Sequence, residues 1–185
     1  MLTDDEFDDI RQKATVAWHR GDIARALAEI EKVLGEGTSD MKGECLLYRG
    51  MMRQSGEPLS EARQDWSEAL QYAGEGTFLR FQLEQHVGDS LEREGLFQEA
   101  FAWYRKALKT CSEGEEFSGH QILSAYLRLN GRIDPGDEPL IASVAVKSWR
   151  VLELPGAPDL SYLRSAIEEL AVTVSNRVET IVRAT

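Results

Sequence analysis

Small and bulky residues recur along this chain at helical spacing. Ala26, Ala62 and Ala100 are each followed four residues on by a bulky residue, Ile30, Trp66 or Tyr104, and three further on by Val33, Ala69 or Ala107. Steps of four and three keep residues on one face of a helix. Twelve residues before each alanine stands another small residue, Ala14, Gly50 or Gly88. Small residues belong where two helices come close, and large ones where a gap must be filled. The copies lie 36 and then 38 residues apart, a period that implies an array of helical hairpins.

Punctuation predicts the elements. Thr3 opens a first helix, with Glu6 three residues on as a capping box, and the helix runs to about Arg20. Gly21 ends it, and Asp22 caps a second helix to about Leu34. Gly35 to Ser39 reads as a loop. A third helix spans about 40–54. A fourth opens near Pro58, where proline suits a first turn, and closes near Tyr72. Thr77 caps a fifth helix ending by Glu94, and a sixth spans about 96–110.

After Ser112 the pattern degrades. Ile122, Leu123, Ala125, Tyr126 and Leu129 place a further helix over 118–130, a turn rich in Gly, Pro and Asp follows, and Ala145, Trp149 and Leu152 keep the earlier order over 139–154. This predicts a fourth, degenerate hairpin over 117–154 with an enlarged turn. Pro155-Gly156-Ala157-Pro158 stops it. A last helix over 159–183, capped by Asp159, carries Leu160, Leu163, Ile167, Leu170, Val174, Val178 and Ile181 as one apolar stripe. Repeat arrays need a cap over the core of their last repeat, the expected use of that stripe. A homodimer seam of coiled-coil type is the alternative.

The third copy reads Val87-Gly88, Leu91, Gly95, Phe97, Ala100, Tyr104 and Ala107-Leu108. The first offers Ala14, Gly21-Asp22, Ile23, Ala26, Ile30 and Val33, and the second Arg49-Gly50, Gly56, Leu59, Ala62, Trp66 and Ala69-Leu70. This order resembles the tetratricopeptide repeat (TPR), with copies at about 7–40, 43–76 and 81–114. The first copy has Ile in place of both aromatics, the turn glycine of the second comes one residue early, and the proline that often closes a family repeat is missing from all three. The resemblance implies a single all-α domain over 1–185, an alpha-alpha superhelix (a TPR-like solenoid) of three to four hairpins plus the capping helix. It also implies that the first helix of each pair lines a concave face that binds another protein.

Composition changes little in this picture. The chain has 185 residues, enough to bury about 70% of its unfolded surface. Strand-like alternation is scarce. The net charge is −11, from 32 acids and 21 bases, and no basic cluster stands out, so a nucleic-acid partner is not expected. The acidity serves solubility, or favours a basic partner. The acidic N-terminus lacks the layout of a secretory signal, and no apolar run reaches membrane-spanning length. Cys45 and Cys111 make no disulfide framework. The expected compartment is cytoplasmic.

Signals for chemistry are weak. No Gly-rich phosphate loop is present. His19, His86 and His120 are scattered, with no pair at metal-ligand spacing, so neither metal nor cofactor is expected. A Cys–His nucleophile remains open on sequence alone. The acidic runs at Asp4–Asp9 and Glu113–Glu116 read as solvated surface, and the expectation is a non-enzyme.

The groove that the resemblance implies draws on the first helix of each pair. Candidate partner-binding residues are Arg11, Thr15 and Trp18, with His19, from the first; Leu47, Tyr48, Met51 and Gln54 from the second; Gln82, Gln85, His86, Asp89 and Glu92 from the third; and Gln121, Ala125 and Arg128 from the fourth. Trp18 either enlarges the groove or is tucked against the second hairpin as core. Relatives that clamp a terminal carboxylate use Lys, Asn and Arg. Here Arg11 matches the basic type, but Thr15, Gln82 and His86 replace the others, so a peptide or helix held by apolar anchors is expected instead. The function read from this is an adaptor or scaffold. An immunity- or antitoxin-type inhibitor, or a secretion chaperone, binding a basic partner is the alternative.

Overall fold

The computed structural model describes residues 2–56, 58–114, 119–130 and 135–152. Among them all regular structure is helical: α1 (Asp4–His19), α2 (Ile23–Glu36), α3 (Ser39–Arg53), α4 (Leu59–Ala69), α5 (Phe78–Arg93), α6 (Phe97–Glu113), α7 (His120–Asn130), a 3-10 turn (Pro135–Asp137) and α8 (Glu138–Leu152). The expected capping helix over 159–183, with the dimer seam it offers, lies outside the described residues. So do the side chains of Trp149 and Leu152.

Local chemistry sets the boundaries. The Thr3 hydroxyl accepts from the Glu6 amide at 3.3 Å while Glu6 accepts from the Thr3 amide at 2.9 Å, the expected capping box. Asp22 and Thr77 cap α2 and α5 by accepting from the Arg25 and Arg80 amides. α1 and α5 end alike. Gly21 and Gly95 both have φ of 78°, the left-handed region that glycine enters without a Cβ clash. In each turn the next amide reaches back five residues, from Asp22 to the Ala17 carbonyl and from Leu96 to the Leu91 carbonyl, a Schellman closure. The α3 turn departs from this. Gly56 has no positive φ, and Ser55 and Gly56 donate to Met52 and Arg53 instead.

Three helix ends differ from the sequence expectation, and α6 runs on to Glu113, where the Gly114 amide still reaches the Thr110 carbonyl at 3.0 Å. α2 continues through Gly35 to Glu36, because the Gly37 amide still reaches the Val33 carbonyl at 2.7 Å. α4 stops at Ala69 rather than Tyr72, because Gln71, Tyr72 and Ala73 donate to the residues three back, the tighter 3-10 pattern.

Each helix packs on the next in the chain, and α6 also meets α8. One hydrophobic cluster is built on α1, α2 and α3, another on α3 through α8, and Leu34 packs against both. At the hairpin joints small faces large. A Cβ at Gly50 would overlap the Trp66 indole, 2.7 Å from Cε2, and one at Gly88 would lie 2.6 Å from Tyr104 Cε1. Only glycine admits these rings, which are fully buried. Ala14 and Ile30, each 1% exposed, hold the equivalent places in the first hairpin. Where the large residue is smaller, its partner is a methyl group larger.

Polar contacts tie hairpin to hairpin. Buried Asp65 on α4 accepts from Arg49 at 2.7 Å and Arg53 at 3.1 Å, and Arg49 also reaches Glu31 of α2 at 2.8 Å. Breaking the buried Asp65–Arg49 pair by removing one partner typically costs about 3–5 kcal/mol. Lys147 of α8 donates to the Cys111 carbonyl at 2.7 Å and to that of Ser112 at 3.1 Å, closing the end of α6.

Candidate functional site

The first helices of successive hairpins lie side by side, joined by their own side chains. Arg11 of α1 reaches Glu44 of α3 at 3.4 Å. Gln54, which caps α3, accepts from Arg93 of α5 at 3.5 Å. Gln85 of α5 donates to Gln121 of α7 at 3.0 Å, and Arg128 of α7 pairs with Glu92 of α5. Both last contacts span 36 residues, the offset between the first two copies. The odd-numbered helices therefore form one continuous layer.

The candidate residues divide on that layer. Arg11, half-buried, also pairs with Asp8 at 2.8 Å and sits over the Phe7 ring. Thr15, Tyr48 and Met51 are half-buried. Trp18 is half-buried too, stacked on His19 and packed against the first core cluster, so it forms the edge of that core. Leu47 is only 4% exposed. It belongs to the core and cannot anchor a partner as it stands. Its α3 is buried at seven positions, including Leu46, Leu47 and Gly50, because helices press on it from both sides. Ala125 is buried as well.

Gln85, His86, Asp89 and Arg128 come together with Glu92 and Gln121. Two of them, Asp89 and Glu92, share the Tyr104 hydroxyl, 2.7 Å from Asp89 Oδ1 and 2.7 Å from Glu92 Oε2. The ring crosses α5 at Gly88, so the packing that excludes a Cβ there also delivers the hydroxyl to that face. Sequence reasoning cast Tyr104 only as a gap filler. The signal was its place sixteen residues after Gly88, with two acids within a turn of that glycine. His86 stacks on Trp66 with ring centroids 5.1 Å apart.

The hydroxyl carries one proton for two carboxylates. Burial pushes Asp89 above the usual range for an aspartate, opposed by the Tyr104 hydroxyl and by His86. Glu92 is held down, first by its hydrogen bond from Arg128. Burial lowers His86. The face thus holds a neutral imidazole, a carboxylate prone to protonation and an exposed guanidinium tied to its neighbour.

Burial pushes the Cys45 thiol up to about 12 and raises Cys111 as well, so both are protonated at neutral pH and neither offers the thiolate that nucleophilic attack needs. Among the described residues no three His, Cys, Asp or Glu side chains are grouped to hold a metal ion, and no helix is long and apolar enough to cross a membrane. No family model, curated protein or solved structure matches this chain.

Proposed function

We propose that the chain is a non-catalytic protein-binding array of the tetratricopeptide type, which holds a peptide or helix of another protein against the layer formed by α1, α3, α5 and α7. The observation that carries the reading is the same joint repeated three times: a small residue on the first helix under a large one sixteen residues on, as in Gly50 with Trp66 and Gly88 with Tyr104. Repeated joints stack units in one sense and align their first helices, and an aligned layer is a surface for an extended partner. Arg11, Thr15, Tyr48, Met51, Gln85, His86, Asp89 and Arg128 are its contact residues, joined by Glu92. Met51 and Tyr48 supply adaptable apolar contact. The buried, protonated thiols support a role without catalysis.

Site-directed photocrosslinking tests this. A crosslinking residue in place of Tyr48 or Gln85 should capture a partner, and one in place of the exposed Glu68 on α4 should not. Capture from position 68 alone would place the partner on the even-numbered helices and overturn the reading.

A further inference from the structure

Most cations among the described residues of this acidic chain are engaged. Among the described residues Arg20, Arg25 and Lys42 are the lysines and arginines whose side chains make no ion pair, hydrogen bond or ring contact. Two of these three, Arg20 and Arg25, line one open cleft of about 450 Å³ between α1 and the start of α2. That volume lies within the range of ligand sites, about 300–1,000 Å³. The two acids in the lining have partners within it, and its three cations, Lys13, Arg20 and Arg25, leave it net positive. Asp9 pairs with Lys13, and Asp22 accepts from the Arg25 amide as the α2 cap. Val16, 41% exposed, gives the cleft an apolar surface.

At about 100° per residue, Val16 and Arg20 lie on the side of α1 opposite Arg11 and Thr15. The cleft is therefore separate from the layer described above. Two exposed guanidinium groups without a protein partner are free to receive an anionic group. Each has the planar fork that receives a carboxylate through two parallel hydrogen bonds. Beside them stands an apolar side chain, which suits a peptide and has no use for a free ion.

We propose that this cleft docks an acidic segment of a partner protein, with an Asp or Glu side chain held by Arg20 and Arg25 and an adjacent apolar side chain resting on Val16. The docked segment runs along the outer side of α1, so the first hairpin contacts protein on two faces.

The test uses the full chain and a dye-labelled peptide of alternating Glu and Leu, read by fluorescence anisotropy. Binding should weaken at least tenfold in the Arg20→Gln/Arg25→Gln double variant and as salt is raised. It should be unchanged in Lys42→Gln, and weaken in Val16→Ser, whose helix content reports that the chain is folded. Equal binding by wild type and the double variant overturns the proposal. So does tighter arginine-dependent binding of a single-stranded oligonucleotide or of inorganic phosphate, which would assign the cleft to phosphate. Variants at Tyr48 and Gln85 should leave this binding untouched, so the two faces are judged separately.

Discussion

The first and third hairpins solve one packing problem with different residues. Ala14 and Ile30 fill the joint in the first, Gly88 and Tyr104 in the third. The small partner gains a methyl group where the large one is smaller, and both joints close. The exchange has a functional consequence. Ile30 ends inside the core, whereas Tyr104 carries a hydroxyl through it to Asp89 and Glu92. The third hairpin thus ties a fully buried side chain of its core to Asp89 and Glu92 of α5, and the first has no such link. Core and α5 surface are coupled in the third hairpin, whereas Ile30 stays within the core of the first.

Breaking the joint gives the largest effect. Gly88→Ala forces a Cβ against a buried ring and should lower unfolding stability by about 1–3 kcal/mol, measured by urea denaturation, and Gly50→Ala should do the same against Trp66. A loss below 0.5 kcal/mol (roughly the scale of an ordinary surface change) would mean the rings can move aside. Tyr104→Phe keeps the ring and removes the hydroxyl. It should cost about 1.5 kcal/mol, since hydrogen bonds to charged groups lie at the strong end, and it should leave Gly88→Ala just as damaging.

That joint was legible in the sequence because helical period and residue size speak to the same geometry. Gly88 and Tyr104 share a register, and one is small where the other is large. The site was legible only in part. Gln85 with Gln121 and Glu92 with Arg128 are brought together because α5 and α7 face each other. Leu47 stays in the core, because α3 is enclosed on more than one side, and phase cannot separate two buried faces. The sharing of one hydroxyl by two acids was foreshadowed by the Gly88–Tyr104 spacing, but the stack of His86 on Trp66 joins two helices in a way that no repeat spacing marks. Arg20 and Arg25 look unremarkable in sequence, and what makes them conspicuous is that most other cations among the described residues are paired.

A control sharpens the comparison. Gly35 lies inside α2 with nothing within 4 Å of a Cβ built on it. Gly35→Ala should therefore raise stability by about 0.5–1 kcal/mol, the helical advantage of alanine over glycine, in thermal or urea unfolding. If it destabilises, the loss at Gly88 cannot be ascribed to the ring.

The smallest effect is on pH dependence. Burial lowers His86 from its ordinary 6.5, so the unfolded chain takes up this proton first as pH falls through 6.5. Stability contributed by the neutral ring is lost from there down to the folded value. His86→Phe keeps a ring to stack on Trp66 and should flatten the fall in melting temperature between pH 7 and pH 5.5. Asp89, raised by burial, acts in the opposite sense. The folded chain holds its proton more tightly, so protonation stabilises as pH drops through the folded value, and Asp89→Asn should remove that gain at the acid end. An identical pH profile for wild type and His86→Phe would show that the imidazole is not desolvated.

The most direct test of the repeated joint is a double-mutant cycle on positions 88 and 104. With Tyr104 in place, Gly88→Ala should destabilise. With Tyr104→Leu, which withdraws the ring edge from α5, the same change should stabilise, because alanine then contributes only its better helix propensity. A change of sign between the two backgrounds is the predicted result, and destabilisation of equal size in both would contradict the account.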